Sequence, residues 1–367
     1  MTTTLLSVQS DIIGSSIGIG DSYWASLPVK LGFVLGLFFV VPLVVGYMEH
    51  KVMAHQQARL GPMEAGGFHG WAQLVADGVK FIQKEDIVPR AADPWVFTMA
   101  PGVALVGAIL VFLVIPLAPG VWAVDLELGL FYALAVGSVS ALGLLMGGWA
   151  SANKFSLLGA LRGAAQLIAY ELPLVLAAAA VVIQAGTLSL PGIVYAQAEF
   201  QVPGTGIGIP YVVTQAVGFA IFFAASLAEL NRPPFDMPIA DSELVFGFLT
   251  EYTGIKFAMF LLTEYGGMVS MSALMTVLYL GGWEIWPGLG VPGCTGSGSG
   301  IDCGLVGMLI GSMITMAKIF ALAFLMIWAR VTYPRLREDQ LQRFSWLFLV
   351  PLSLLNIAVI ATAKVVL

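Results

Sequence analysis

Residues 29–48 read VKLGFVLGLFFVVPLVVGYM, a run in which Lys30 carries the only charge. A hydrocarbon core of ~30 Å is crossed by about 20 apolar residues at a rise of ~1.5 Å each, so this stretch reaches across a bilayer as one helix. The same ruler moved along the chain finds about eight such segments. They run near Val29–Met48, Trp95–Leu117, Leu128–Ala150, Gly163–Gly186, Pro210–Leu230, Ile255–Gly282, Gly304–Ala329 and Trp346–Val366. Short β-branched runs such as Val181–Ile183 do not change the reading. An open sheet edge cannot sit in lipid, and barrel strands would alternate with polar residues. Composition agrees: of 367 residues 59% are hydrophobic and 10% charged, with 42 glycines and a mean hydropathy of +0.91. A soluble globule has no interior large enough to hide that much apolar surface, and disordered, collagenous and disulfide-stapled classes fail on the same figures. With 16 Lys+Arg against 22 Asp+Glu and no basic block, nucleic-acid binding is not expected. The expected fold is an all-α integral membrane protein, one polytopic domain over residues 1–367. The N-terminal stretch has no basic region and no small-residue cleavage site, so no removable signal peptide is expected.

Cations fix the expected orientation. Lys51, Arg59, Lys80, Lys84 and Arg90 follow the first span, Lys154 and Arg162 the third, Arg232 the fifth, and Arg330, Arg335, Arg337 and Arg343 the seventh. The second, fourth and sixth loops hold no Lys or Arg. The positive-inside rule then puts odd loops in the cytoplasm and both termini outside. Cys294 and Cys303 fall in the sixth, outer loop (about 283–303, PGCTGSGSGIDCG at its end), where they form either a disulfide or two free thiols.

The first inner loop, about 50–94, exceeds what a connector needs. His69, Gln73, Asp77, Lys80 and Lys84 recur at helical spacing, opposite Trp71, Leu74, Val75, Val79 and Ile82, which predicts an amphipathic helix along the membrane surface. The fifth loop, about 230–254, reads with its flanks AELNRPPFDMPIADSELVFGFLTEY. It carries Glu229, Asp236, Asp241, Glu243 and Glu251 around the single cation Arg232. Phe235, Met237, Phe246 and Phe248 interleave with the acids, which predicts a packed segment where like charges crowd and share protons. Charges at membrane depth cost ~2.5–3.5 kcal/mol each, so those present are functional candidates. Glu171 lies nine residues beyond Arg162, near Gln166 and Tyr170, with Pro173 freeing the carbonyl of Ala169. Glu264 stands beside Tyr265 and a Gly266–Gly267 pair expected to loosen its helix, and Lys318 precedes Arg330 by twelve residues. These three form either a structural ion-pair cluster or parts of a proton relay.

Other chemistries lack their parts. The three histidines share one inner loop and the two cysteines one outer loop, so neither a haem, an iron–sulfur cluster nor a metal site is expected in this chain. No nucleotide fingerprint or nucleophile–base pattern appears. If the protein serves redox chemistry, its electron carriers belong to partners.

Several long motifs nevertheless agree with one family. RLGP (Arg59–Pro62), ADGVKFIQKEDIVP (Ala76–Pro89), GGWASANKFSLLGALRGAAQLIAYELPL (Gly147–Leu174), the acidic loop and WARVTYPRLREDQL (Trp328–Leu341) resemble the H subunit of NADH–quinone oxidoreductase. That is the membrane component of respiratory complex I whose mitochondrial counterpart is NADH dehydrogenase subunit one. The resemblance implies a proton-translocating, quinone-reducing complex of the bacterial cell membrane, with quinone (ubiquinone or menaquinone) as substrate. Flavin and iron–sulfur clusters would reside only in partner subunits. It implies docking of hydrophilic quinone-site and iron–sulfur subunits, small membrane subunits and antiporter-like subunits. The family's proton relay maps onto Asp77, Glu171, Glu229, Asp241, Glu243, Glu251 and Glu264, and its quinone chamber onto Glu49, Arg59, Lys80, Arg232, Asp236 and Phe248. Quinone is implied to pass from the bilayer near the first span, the amphipathic helix and the sixth span. This chain departs from the family pattern at Ile239, where an acid is usual, at Asp241, a shortened acid, at His50, where an arginine is usual, and at Met63. A homologous component of a hydrogenase-, ferredoxin- or F420-linked complex stays open as an alternative. So does a self-contained ion-coupled transporter, which would show a repeat with broken helices that is not found here.

Overall fold

The computed structural model describes residues 23–200, 208–295 and 302–366. Its elements in order are α1 (Tyr23–Gln56), a 3-10 turn (Phe68–Gly70), α2 (Gln73–Gln83), α3 (Pro94–Val111), α4 (Gly129–Gly137) and α5 (Val139–Ala150). There follow α6 (Lys154–Ala185), α7 (Leu190–Glu199), α8 (Tyr211–Thr214), α9 (Ala216–Glu229), α10 (Asp241–Leu244) and α11 (Gly254–Tyr279). A two-residue pairing of β1 (Cys294–Thr295) with β2 (Asp302–Cys303) precedes α12 (Leu305–Thr332), α13 (Glu338–Arg343) and α14 (Val350–Val366). Among the described residues seven helical stretches are long and apolar enough to cross a membrane: α1, α3, α4–α5 together, α6, α11, α12, and α13–α14 joined through Phe344–Leu349. The all-α membrane architecture is thus as expected. The remaining segment, expected over Pro210–Leu230, is broken at Gln215 and leaves the shorter apolar helix α9.

Local chemistry sets the boundaries. Asp93 caps α3 by accepting from the amides of Trp95 (3.2 Å) and Val96 (3.5 Å), with Pro94 pre-set in the first turn. Asn153 caps α6 through the Phe155 amide at 2.9 Å. That cap starts α6 nine residues before the expected Gly163, so Arg162 rides on a helix rather than in a loop. Pro173 leaves the Ala169 carbonyl without its helical donor, as anticipated, and the Ser345 hydroxyl donates in its place at 2.5 Å. Without a hydrophobic drive between helices in lipid, small residues set how closely they approach. A Cβ on Gly143 would lie 2.6 Å from the Ala104 amide nitrogen, and one on Gly148 2.2 Å from the Ala160 Cβ, so α5 is wedged between α3 and α6. Gly266 and Gly267 follow the same logic, against Phe38 and Leu230. They do not loosen α11, which runs unbroken through them, because their use is close packing rather than flexibility.

Long-range bonds sort the loops into two ends. At one, the Asp93 amide meets the Ala150 carbonyl, Asn153 donates to Glu251 (2.6 Å) and the Leu336 amide to Pro234 (3.0 Å). This end gathers the loops rich in Lys and Arg. At the other, Lys364 donates to the last carbonyls of α6, Trp286 to Gly208 and Thr315 to Leu117. Cys294 and Cys303 are disulfide-bonded there, resolving the two open readings in favour of the bridge.

Candidate functional site

At the basic end, four charged side chains from four separate segments meet. Glu49, on the last turns of α1, receives Arg232 Nη1 at 2.8 Å on one oxygen and an Arg330 guanidinium on the other. Arg232 Nη2 stands 2.9 Å from Glu264 of α11, and its guanidinium lies 5.3 Å from the centre of the Tyr265 ring. Glu49 and Arg232 are each 1% exposed, whereas Glu264 is 25% exposed. Two carboxylates and two guanidiniums balance formally, which is how charges survive burial. The Arg232 side chain reaches the cluster because Pro233 and Pro234 end the α9 direction, while its amide still closes onto the Leu227 carbonyl at 3.1 Å. Gln166 holds that corner, donating to the carbonyls of Ala228 and Phe235 at 2.6 Å each and to Asn231 at 3.3 Å.

Beside this quartet lies a cavity of about 100 Å³. Its wall is mostly apolar, including Leu144, Phe248, Phe260 and Met271, and is interrupted by Ser140, Asn231, Thr263 and Ser270 and by the carboxyls of Glu264 and Glu229. A second, partly open cavity of about 300 Å³ is lined by Leu142, Ile168, Glu171 and again Glu229. The two share Ala141, Leu167 and Glu229 as a common wall. Glu229 Oε2 is buried and has no hydrogen-bond partner among the described residues. Three acids expected from the sequence (Glu264, Glu229, Glu171) therefore stand along two adjoining spaces with one acid in the partition.

The other expected residues are placed differently. Phe248 lines the first cavity. Asp236 sits in the packed loop, where Arg335 donates to its backbone carbonyl. Glu243 is drawn outward to Arg162 (2.6 Å), which also reaches Glu338 (3.4 Å), and Glu251 accepts from Asn153, so these two loop acids are drawn apart by different donors. The Arg162 hydrogen bond, with the charges of Arg162 and Arg335, holds the Glu243 carboxyl below its ordinary 4.5. Asp241 opens α10, and its side chain lies outside the described residues. Arg59 is exposed on Gln57 (2.8 Å), and Lys80 is exposed on α2; neither reaches the cavities. Asp77 is half-buried on the face of α2 that carries Leu74 and Phe81, and accepts from Gln73 at 3.2 Å. The surface helix is shorter than the pattern suggested, because His69, at φ 56°, breaks the chain before Gln73. Its expected apolar stripe also divides: Leu74 turns to the bundle, while Val75, Val79 and Ile82 stay exposed.

Lys318 does not join the acids of the quartet. Its ammonium is held by the carbonyls of Leu280 (2.5 Å), Gly282 (3.0 Å) and Glu284 (2.5 Å), capping the far end of α11. Burial pushes the Glu284 carboxyl up, offset by the Gly288 amide and Lys318. Sequence reasoning missed the site role of Arg330, counted only as a loop cation. Its position directly after the expected end of the seventh span at Ala329 was the signal available in the sequence.

An α-helical bundle with seven stretches long and apolar enough to cross a membrane among the described residues, a balanced charge cluster and carboxyls lining two adjoining cavities define the chain as an all-α multi-pass membrane protein. No group of three or more His, Cys, Asp or Glu suited to a metal occurs among the described residues. The chain belongs to the NADH dehydrogenase family, whose model matches residues 29–361. A relative from Bacillus mycoides (strain KBAB4), named as the H subunit of NADH-quinone oxidoreductase, is 42% identical over 94% of this chain and 96% of its own. Relatives of the same name from Bacillus cereus (strain B4264) and Bacillus thuringiensis (strain Al Hakam) are 41% identical over the same shares.

Proposed function

We propose that this chain is the membrane-embedded H subunit of a proton-translocating NADH–quinone oxidoreductase, walling much of the quinone chamber and passing the redox event to buried carboxyls. The reading is supported by family membership and by one observation above the others: Glu229 stands in the partition between the Glu264 cavity and the Glu171 cavity. Quinone reduction takes up protons at the head group. A change of charge at the Glu49–Arg232 pair alters the field on its neighbour Glu264 directly, and on Glu229 across the cavity. At an effective dielectric of ~20, two charges 4 Å apart interact by about 4 kcal/mol, enough to reset a neighbour's protonation. Glu229 then exchanges with Glu171 through the second space. Asp77 is retained as a member of the proposed relay, and the outward pair Glu243–Arg162 marks where the hydrophilic partners dock. Flavin and iron–sulfur clusters belong to those partners, and the basic end faces the cytoplasm of a bacterial cell membrane.

The test is made on the assembled complex in proteoliposomes. Glu229→Gln and Glu264→Gln should leave the subunits together and electron transfer measurable while quinone-driven acidification falls to background. Unchanged pumping in both variants would falsify the relay. The electron donor is read from the co-purifying subunits. A nucleotide- and flavin-binding partner supports NADH, whereas a nickel–iron hydrogenase pair replaces this reading with the hydrogenase-linked one.

A further inference from the structure

Lys256 is 6% exposed in the first turn of α11. The placement is doubly unfavourable: an ammonium is costly to bury, and a cation at a helix N-terminus opposes the macrodipole. Tertiary partners must compensate. Asp86 Oδ2 lies 2.8 Å from Lys256 Nζ, and the Phe97 ring centre lies 5.1 Å away. Asp86 belongs to the strand of loop that leaves α2, and further contacts fasten that loop to the start of α11. Thr253 accepts from the Ile87 amide (3.2 Å) and donates to the Glu85 carbonyl (3.3 Å). Gly254, at φ +58°, passes so close that a Cβ would stand 3.1 Å from the Lys84 carbonyl oxygen. Phe81, on the last turn of α2, meets Phe257 at 5.6 Å.

Two routes lead from this fastening to the site. Phe97 stacks on Tyr252 (4.2 Å, 1°), Tyr252 meets Phe260 edge-on (5.0 Å), and Phe260 meets Phe248 (5.3 Å), both of which line the Glu229–Glu264 cavity. At the other end of α2, Leu74 and Tyr265 converge on Gly46, whose Cβ would stand 2.9 Å from Leu74 Cδ1 and 3.6 Å from Tyr265 Cε1. Tyr265 is the ring beneath Arg232.

We propose that the Lys256–Asp86 pair is a latch that pins the surface helix α2 against α11 and so positions the side wall of the quinone chamber. Neither residue touches the cavities. They are positioning residues, and the quinone part of the claim rests on the function proposed above.

The partners are unequal, which gives the latch a signature. Asp86 is 40% exposed and rehydrates if its partner is removed, whereas Lys256 stays buried without a counter-charge if Asp86 is removed. In the assembled complex, amide exchange over residues 81–88 should rise about tenfold in Lys256→Met and further in Asp86→Asn, with Lys256→Arg close to wild type. Quinone KM should rise about fivefold in the first two while kcat stays within about twofold, the pattern of lost positioning rather than lost chemistry. If Lys256→Met does not assemble, Asp86→Asn decides alone. Unchanged exchange in Asp86→Asn overturns the latch, whatever the turnover. Raised exchange with unaltered KM overturns its bearing on the chamber. Raised exchange in a complex that reduces no quinone leaves the latch standing and retires the functional reading instead.

Discussion

Replacing Arg232 by methionine removes the cation shared by Glu49 and Glu264. The guanidinium lies 2.8 Å from one carboxylate oxygen and 2.9 Å from the other acid. With charge centres ~4 Å apart and an effective dielectric of ~20, each pair contributes about 4 kcal/mol of attraction. Against that gross figure stands the relief of no longer burying the guanidinium, and Arg330 still compensates Glu49. Glu264 has no second cation within salt-bridge distance among the described residues. Breaking a buried pair while leaving a charge behind costs ~3–5 kcal/mol, and that is the expected loss for Arg232→Met. Arg232→Lys should recover only part of it, because one ammonium cannot serve both acids with the planar fork. A double-mutant cycle isolates the pair: Arg232→Met with Glu264→Gln should cost about 2 kcal/mol less than the sum of the single changes. The readout is thermal unfolding of the assembled complex in detergent, with subunit retention followed in parallel. A loss under ~1 kcal/mol, or strict additivity, would show that the cluster is held by neighbouring packing and not by its charges.

Three further outcomes follow from the same geometry. Lys318→Met leaves three carbonyls at the end of α11 without their shared donor, at a cost of about 3 kcal/mol, and should make the segment after Tyr279 markedly more sensitive to protease. Gly143→Val places a side chain against the Ala104 and Ala100 backbone, which cannot yield as a side chain would, so a loss of ~1–3 kcal/mol or failed assembly is expected on thermal unfolding. The Arg162–Glu243 pair holds a carboxyl below its ordinary 4.5, so its contribution is complete above that value and disappears as pH falls through the lower folded value. Because Glu243 is 50% exposed, screening limits the effect to about 0.5 kcal/mol, and the melting difference between wild type and Glu243→Gln should close on acidification from pH 7.

The sequence determined that this chain crosses a membrane many times, because spanning lipid is a local requirement met by each apolar run on its own. It also marked Glu171, Glu264 and Lys318, since a charge inside an apolar run is visible in one dimension, whereas Glu229 read as a flank of the acidic loop. It identified Ala169 as a carbonyl in need of a donor, and the structure supplied Ser345. What it did not carry was partnership. Glu49 and Arg232 are 183 residues apart, and nothing near either says that they meet. The same blindness made the loop acids look crowded, when Arg162 and Asn153 on α6 and its cap draw Glu243 and Glu251 apart. It likewise set Lys318 beside the acids, when that side chain closes the end of a helix. Which charges pair, and which face a cavity, is fixed by how helices cross and how closely their small residues let them approach. That information lies in the distances between segments far apart in the chain, and only the folded bundle holds it.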